Sequence, residues 1–290
     1  MDTFESWAGE AVPVDVGGLR VAAHDVGSGP AATFLHGYPS SSLDVRSLLP
    51  RLGGLRVIAP DLPGFGASDK PVGHPYSIHA AADAVEAVWR HLGVDRSLLV
   101  AHDYSVSVAQ ELLARRAEAA APRPVEVTGV VWSNGGLWPD LHYPTPGQAL
   151  LLDPDHGHEV AAAMTEELFA DAIRGTWGTR RLAGGDELHD MWVALAHDGG
   201  NLQAHELLHY VADRRRHADR WRAALEQAPV PMRFVWGDLD PVSGAHVADR
   251  IADRLPRCPL DRLPDVGHWP WLEAPDEVTA AVLALSDRVA

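Results

Sequence analysis

The sequence predicts an α/β fold, a doubly wound and mostly parallel sheet with a helical segment inserted into it. Three observations predict this. Short apolar runs alternate with amphipathic helical patterns up to residue 133, and the alternation resumes after residue 230. Between those points, residues 134–229 read as helical, rich in Trp and His, with no convincing strand. Third, the apolar run 98–101 passes almost directly into a helical pattern, with Asp103 at the tip of the turn. A strand running straight into a helix forces a strained turn that projects its tip residue above the sheet. Backbones crowd there, so the positions two residues to either side must be small; here they are Ala101 and Ser105.

Taken in order, residues 11–16 and 19–26 form a hairpin pattern around Gly17-Gly18. The apolar strand 31–35 stops at His36-Gly37-Tyr38-Pro39, and residues 40–52 read as a helix. Strand 55–59 is followed by the Pro/Gly-rich loop 60–71. Residues 77–92 have helical periodicity, with Ala81, Val85, Val88, Trp89 and Leu92 on one side. After the strand–turn–helix come the buried-strand run 125–132 and, beforehand, a surface excursion at 117–124. The second half of the sheet comprises strand 232–236, helix 243–255, a short strand at 259–263 and helix 276–285. The core is therefore 1–133 with 230–290, and the helical cap is 134–229.

Composition narrows the function. The 290 residues are 46% hydrophobic, enough for one large core, and the net charge of −16 disfavours nucleic acid or an anionic membrane surface as partner. The single cysteine, Cys258, excludes an intrachain disulfide and fits a cytoplasmic setting. Residues 1–10 are acidic and mixed, unlike a secretory leader, and no apolar run approaches the roughly 20 residues of a membrane span.

Ligands of an open α/β sheet sit at the carboxyl ends of the strands, so the loops just after strands hold the candidates. The loop after strand 232–236 carries Asp238 and Asp240; the loop after the last strand carries Asp265 and His268. The order Asp103, Asp240, His268 is that of a nucleophile, an acid and a histidine. Asp238 is the reserve acid, and Asp265 reads as a turn residue beside Pro264. Backbone N–H groups of Tyr38 and Tyr104 would form an oxyanion hole, while His36 reads as a structural hydrogen-bonding residue. No cofactor and no resident metal is implied.

The motifs HGYP (36–39), DLPGFGASDKP (61–71), HDYS (102–105), GDLDP (237–241) and GHWPWLEAP (267–275) resemble the aspartate-nucleophile branch of the α/β-hydrolase superfamily, the epoxide hydrolases and haloalkane dehalogenases. The segments SNGG (133–136), DMW (190–192) and GGNLQAHELLHY (199–210) are similar to the mesoderm-specific-transcript group within it. The resemblance implies an α/β-hydrolase fold and attack by Asp103 on saturated carbon, with an ester intermediate cleaved by water that His268 activates. The substrate it implies is a small apolar epoxide, opened to a vicinal diol. Tyr210 matches one of the two ring-opening tyrosines of epoxide hydrolases; no Tyr occurs between 144 and 209, which leaves Tyr143 or His142 for the second role. An alkyl halide is the alternative substrate, although Tyr104 and Tyr38 stand where dehalogenases carry Trp and Asn. Trp138, Trp177, Trp192 and Trp269 are candidates to line an apolar pocket.

Two further classes compete. His205-Glu206-Leu207-Leu208-His209 matches the H-E-x-x-H zinc-hydrolase pattern, with Glu226 a third ligand by distance only. The other is a binding protein that keeps the fold without the chemistry.

Overall fold

The structure, a computed structural model, describes residues 3–120 and 124–289. Its centre is an eight-stranded sheet in the order β1-β2-β4-β3-β5-β6-β7-β8. The strands are β1 (Val12–Val16), β2 (Leu19–Gly27), β3 (Ala31–Leu35), β4 (Arg56–Pro60), β5 (Arg96–His102), β6 (Glu126–Ser133), β7 (Met232–Gly237) and β8 (Leu260–Leu263). Strand β2 pairs antiparallel with β1 and β4, and the remaining pairs are parallel. Register aligns Leu35 with Ala101, His102 with Ser133, and Ser133 with Val235. The segments leaving β3, β5, β6 and β7 therefore emerge side by side, which brings Tyr38, Asp103, Asn134 and Asp240 to one edge.

Helices cover both faces of the sheet, as a parallel sheet requires. On one face α2 (Ile78–His91) and α3 (Tyr104–Glu118) bury Val85, Val88, Trp89 and Leu112. The Ser77 hydroxyl starts α2 by accepting from the Ala80 N–H. On the other face Phe34, Val100, Val131 and Trp271 pack with Val278 and Val282 of α13 (Pro275–Val289). Each such side chain contributes about 1.5–3 kcal/mol when fully buried.

Two elements differ from the sequence reading. Residues 40–52 do not form one helix; they make short 3-10 turns at Ser42–Ser47 and Leu49–Arg51. Pro50 has no N–H to give to an α-helical ladder, and the Ser42 N–H is taken by the Asp61 carboxylate at 2.7 Å. An N-terminal helix, α1 (Thr3–Gly9), was not expected. It is too short to show a periodic stripe, yet Phe4 and Trp7 are buried, Trp7 stacking on His24 at 3.6 Å and donating to Ser42 Oγ. The excursion predicted at 117–124 lies partly outside the described residues.

Between β6 and β7 the chain is helical: α4 (Pro146–Leu151), α5 (Gly157–Ala162), α6 (Glu166–Arg174), α7 (Gly185–Ala196), α8 (Ala204–Leu207), α9 (Tyr210–Arg216) and α10 (Ala218–Glu226). Helix α11 (Ala245–Arg254) then returns to the sheet, and the four-residue α12 (Pro270–Glu273) follows β8. No helix among the described residues is long and apolar enough to cross a membrane.

Candidate active site

Asp103 sits between β5 and α3 with φ 45° and ψ −105°, a conformation that L residues rarely adopt. Space for it comes from glycines on neighbouring loops. A Cβ on Gly37 would lie 2.8 Å from Asp103 Cβ, and one on Gly135 would lie 2.8 Å from the Asp103 carbonyl oxygen. The Asp103 N–H is taken by the Asn134 main-chain oxygen at 2.8 Å. The tip residue is thus pinned from both sides of its strand.

Tyr38 N–H donates to Asp103 Oδ2 at 3.0 Å. Tyr104 is the first residue of α3, where an N–H has no intrahelical acceptor. His36 supports this arrangement. Its Nε2 accepts from Leu62 N–H at 3.1 Å, so its Nδ1 carries the proton given to Gly37 O. Burial holds the His36 pKa below the usual imidazole range.

His268 Nδ1 is 2.8 Å from Asp240 Oδ2, and its Nε2 is 3.8 Å from Asp103 Oδ1. All three residues are buried. Burial lowers the His268 pKa, but the Asp240 and Asp103 carboxylates outweigh it and raise the value to about 9. Burial also disfavours the Asp240 anion. The His268 cation and hydrogen bonds from His268, Ser243 Oγ and Val242 N–H prevail and hold it well below the usual carboxylate range. Asp238 faces away and pairs with Arg262, while Asp265 pairs with Arg180.

The supporting residues went unnoticed as such in the sequence. Asn134 Nδ2 donates to Gly237 O and to Asp240 Oδ2, both at 2.9 Å, and its Oδ1 accepts from Gly237 N–H. One amide therefore joins the ends of β6 and β7 and fixes the acid. His102, kept neutral by burial, has its Nε2 2.9 Å from the His268 carbonyl and so donates to it. Glu273 accepts from the N–H groups of Gly267, Trp269 and Gly178. No residue spacing signals these contacts; only the motif segments SNGG, HDYS and GHWPWLEAP contained them.

The helical segment covers this edge. Tyr210 is fully buried; its ring meets Tyr104 edge-on at 4.9 Å, and its hydroxyl has no hydrogen-bond partner among the described residues. Burial and then the Asp103 charge raise its pKa, so the phenol is protonated at neutral pH. His142 has both ring nitrogens buried without a partner and, through burial, a pKa of about 4. Tyr143 is half exposed and stacks on His246.

A cavity of about 290 Å³ reaches Tyr38 and His268 and is walled by Leu151, Phe169, Ile173 and Trp269. Trp138, Trp177 and Trp192 do not line it. Trp138 donates to Glu226, Trp177 lies between Arg181 and Trp269, and Trp192 packs on Phe169. The H-E-x-x-H stretch straddles a break, with His205 and Glu206 in α8 and His209 at the cap of α9. Glu226 pairs with Arg254. Among the described residues no group of three His, Cys, Asp or Glu side chains is placed to hold a metal ion.

A mostly parallel sheet with an acidic residue on a strand–helix turn, and a His–Asp pair on the following loops, defines a hydrolase-type α/β protein. The model of the alpha/beta hydrolase family matches residues 34–282, and the chain belongs to that family. It is 34% identical to the putative hydrolase LipZ of Mycobacterium tuberculosis, over 96% of this chain and 95% of that protein. It is 36% identical to the human mesoderm-specific transcript homolog protein, over 94% and 84%. Among solved structures, the haloalkane dehalogenase DbeA from Bradyrhizobium elkani superposes with a TM-score of 0.81 at 22% identity, covering 96% of this chain and 97% of that one. At that identity the likeness is one of fold.

Proposed function

We propose that this protein is an epoxide hydrolase, acting in the cytoplasm without a cofactor, that opens an apolar epoxide to a vicinal diol. The observation that carries this reading is Tyr210, a buried, protonated phenol whose hydroxyl makes no hydrogen bond of good geometry, with the Arg214 guanidinium close by and the Asp103 charge acting on it. Buried polar groups are rarely left unsatisfied, and an acid awaiting a substrate oxygen accounts for one that is.

Asp103 Oδ1, the oxygen not held by Tyr38, attacks an oxirane carbon. The carbon–oxygen bond to the oxirane oxygen breaks, and that oxygen takes the Tyr210 proton. The product is a neutral ester. With the Asp103 charge gone, one of the two carboxylates that hold the His268 proton is lost. His268 gives up that proton, which returns to the tyrosinate through solvent, and becomes a free base. It then deprotonates a water that attacks the Asp103 carbonyl carbon, while Tyr38 N–H holds the oxyanion on Oδ2. Collapse expels the alkoxide, which takes the proton from His268 and leaves as the diol with Asp103 Oδ1 in it. The new Asp103 carboxyl returns a proton to His268, and the water oxygen stays on the enzyme. A halide would need no proton, leaving the Tyr210 hydroxyl idle.

The test is mass spectrometry of His268→Gln after incubation with 1,2-epoxyhexane, styrene oxide and 1-bromohexane. The expected result is the mass of an intact epoxide on the peptide containing Asp103. An adduct from the bromide alone would assign the chain to dehalogenation.

A further inference from the structure

Arg214 stands one helical turn after Tyr210 on α9, with only 2% of its surface exposed. Surface arginines usually bury their stems and leave the head in water. Here the head is buried as well, under the turn that carries Asp103. Its Nε donates to Ser107 Oγ at 2.7 Å, and its Nη2 donates to the Asp103 main-chain carbonyl at 2.8 Å. The guanidinium carbon lies 4.5 Å from the centre of the Tyr210 ring. Gly136 makes room for the fork, since a Cβ there would run into Nη1.

Burying a cation costs several kcal/mol unless its surroundings compensate. The compensation comes from a hydroxyl, a carbonyl and an aromatic face, the last two belonging to Asp103 and Tyr210, while Nη1 has no hydrogen-bond partner among the described residues. We propose that Arg214 is a positioning residue for both reacting groups, fixing the nucleophile's main chain through Asp103 O and the acid's ring through the guanidinium stack. This inference rests on the reading of Asp103 as nucleophile and Tyr210 as acid.

Two physical consequences follow. The Asp103 carbonyl accepts from Val106 N–H as well as from Arg214, so the strained peptide is held in a fork instead of by the helix alone. A cation against the ring also favours the phenolate that forms as the epoxide oxygen takes the proton. Lysine could reach the carbonyl but has neither the plane for the stack nor the geometry to bond Ser107 at the same time.

The test is a double-mutant cycle read in two separate steps. Wild type, Arg214→Met, Arg214→Lys, Tyr210→Phe and the two Arg214 variants combined with Tyr210→Phe are mixed with 1,2-epoxyhexane in a rapid-quench instrument. Ester formation and diol release are timed separately, and circular dichroism checks the fold. Arg214→Met is expected to slow ester formation by about 100-fold, with losses that are far from additive with Tyr210→Phe in that step and additive in diol release. Arg214→Lys is expected to keep diol release within a few-fold of wild type while recovering only part of ester formation, and it carries the cycle if the Met variant does not fold. Additive losses in both steps, or ester formation at the wild-type rate, would reduce Arg214 to a structural residue and overturn the proposal. Absence of any Asp103 adduct in His268→Gln, together with no diol from wild type, would instead remove the epoxide reading, and the inference with it.

Discussion

The Ser105 hydroxyl donates to the main-chain carbonyl of His36, tying the first turn of α3 to the loop that presents Tyr38 N–H to Asp103. Space alone requires a small residue at this position, and serine adds a bond that glycine would not. Ser105→Ala is expected to lower stability by about 1 kcal/mol in chemical denaturation. It should slow ester hydrolysis more than ester formation, because the oxyanion on Oδ2 develops only in hydrolysis. Equal slowing of both steps in single-turnover kinetics would detach Ser105 from the oxyanion site.

Asp240→Asn should separate the two half-reactions. The substitution keeps the shape but places an amide where His268, Asn134 and Ser243 all present donors to one oxygen. Hydrolysis is expected to fall by roughly 10³-fold or more, with ester formation largely retained. The adduct on Asp103 should then persist for hours by mass spectrometry; rapid disappearance would argue for another orienting acid.

The His268 pKa makes a stability prediction with a definite sign. It is raised from 6.5 to about 9, so its contribution is complete below pH 6.5 and is lost as pH rises through 9. Wild type should therefore lose up to about 3 kcal/mol relative to His268→Gln between those limits. Asp240 acts in the opposite direction: its depressed pKa contributes above the ordinary carboxylate range and is lost only in strong acid. Urea titrations of both proteins across pH 6–10 measure the difference, and parallel curves would refute it.

Asn134→Leu should cost about 2–4 kcal/mol, since it strands the buried N–H and C=O of Gly237. The Asn134 main-chain oxygen that holds Asp103 N–H survives the change. Ester formation should accordingly suffer less than hydrolysis, which needs Asp240 in place.

Ile173→Trp fills the apolar wall of the cavity. The kcat/KM for long-chain terminal epoxides should fall by about 10- to 200-fold, the loss of about 1–3 kcal/mol of binding, while propylene oxide is unaffected. Unchanged selectivity across chain lengths would place the binding site elsewhere.

Much of the framework was legible because it obeys two periods. The βα alternation marks the sheet; β6 ends at Ser133 and β7 begins at Met232, with only helices and turns between them. That Asp103, Asp240 and His268 lie together follows from chain order and loop position, which fix where such residues emerge. What stayed hidden depends on contacts between distant segments. Trp7 reaching Ser42, Asn134 reaching Asp240 and Arg214 reaching Asp103 O have no local signature. The tryptophans misled for the complementary reason. Composition marks them as apolar bulk, but only packing decides whether a ring faces a cavity, as Trp269 does, or an arginine, as Trp177 does.

Among the contacts that fasten the helical segment to the core, two groups sit beside the loops of Asp103 and His268. At one, Thr176 O accepts from His268 N–H, Gly178 N–H donates to Glu273, and Arg180 pairs with Asp265. At the other, Arg214 holds Asp103, while Arg220 and Trp221 both bond Glu111 of α3. Both groups attach the helical segment to the loops that carry Asp103 and His268. Away from both, α4 and α6 border the cavity, and Leu150 and Leu168 stand more than half exposed on its rim. On the proposed function, apolar substrates are expected to enter along this greasy rim, and Leu150→Glu with Leu168→Glu to raise KM for long-chain epoxides with little change in kcat.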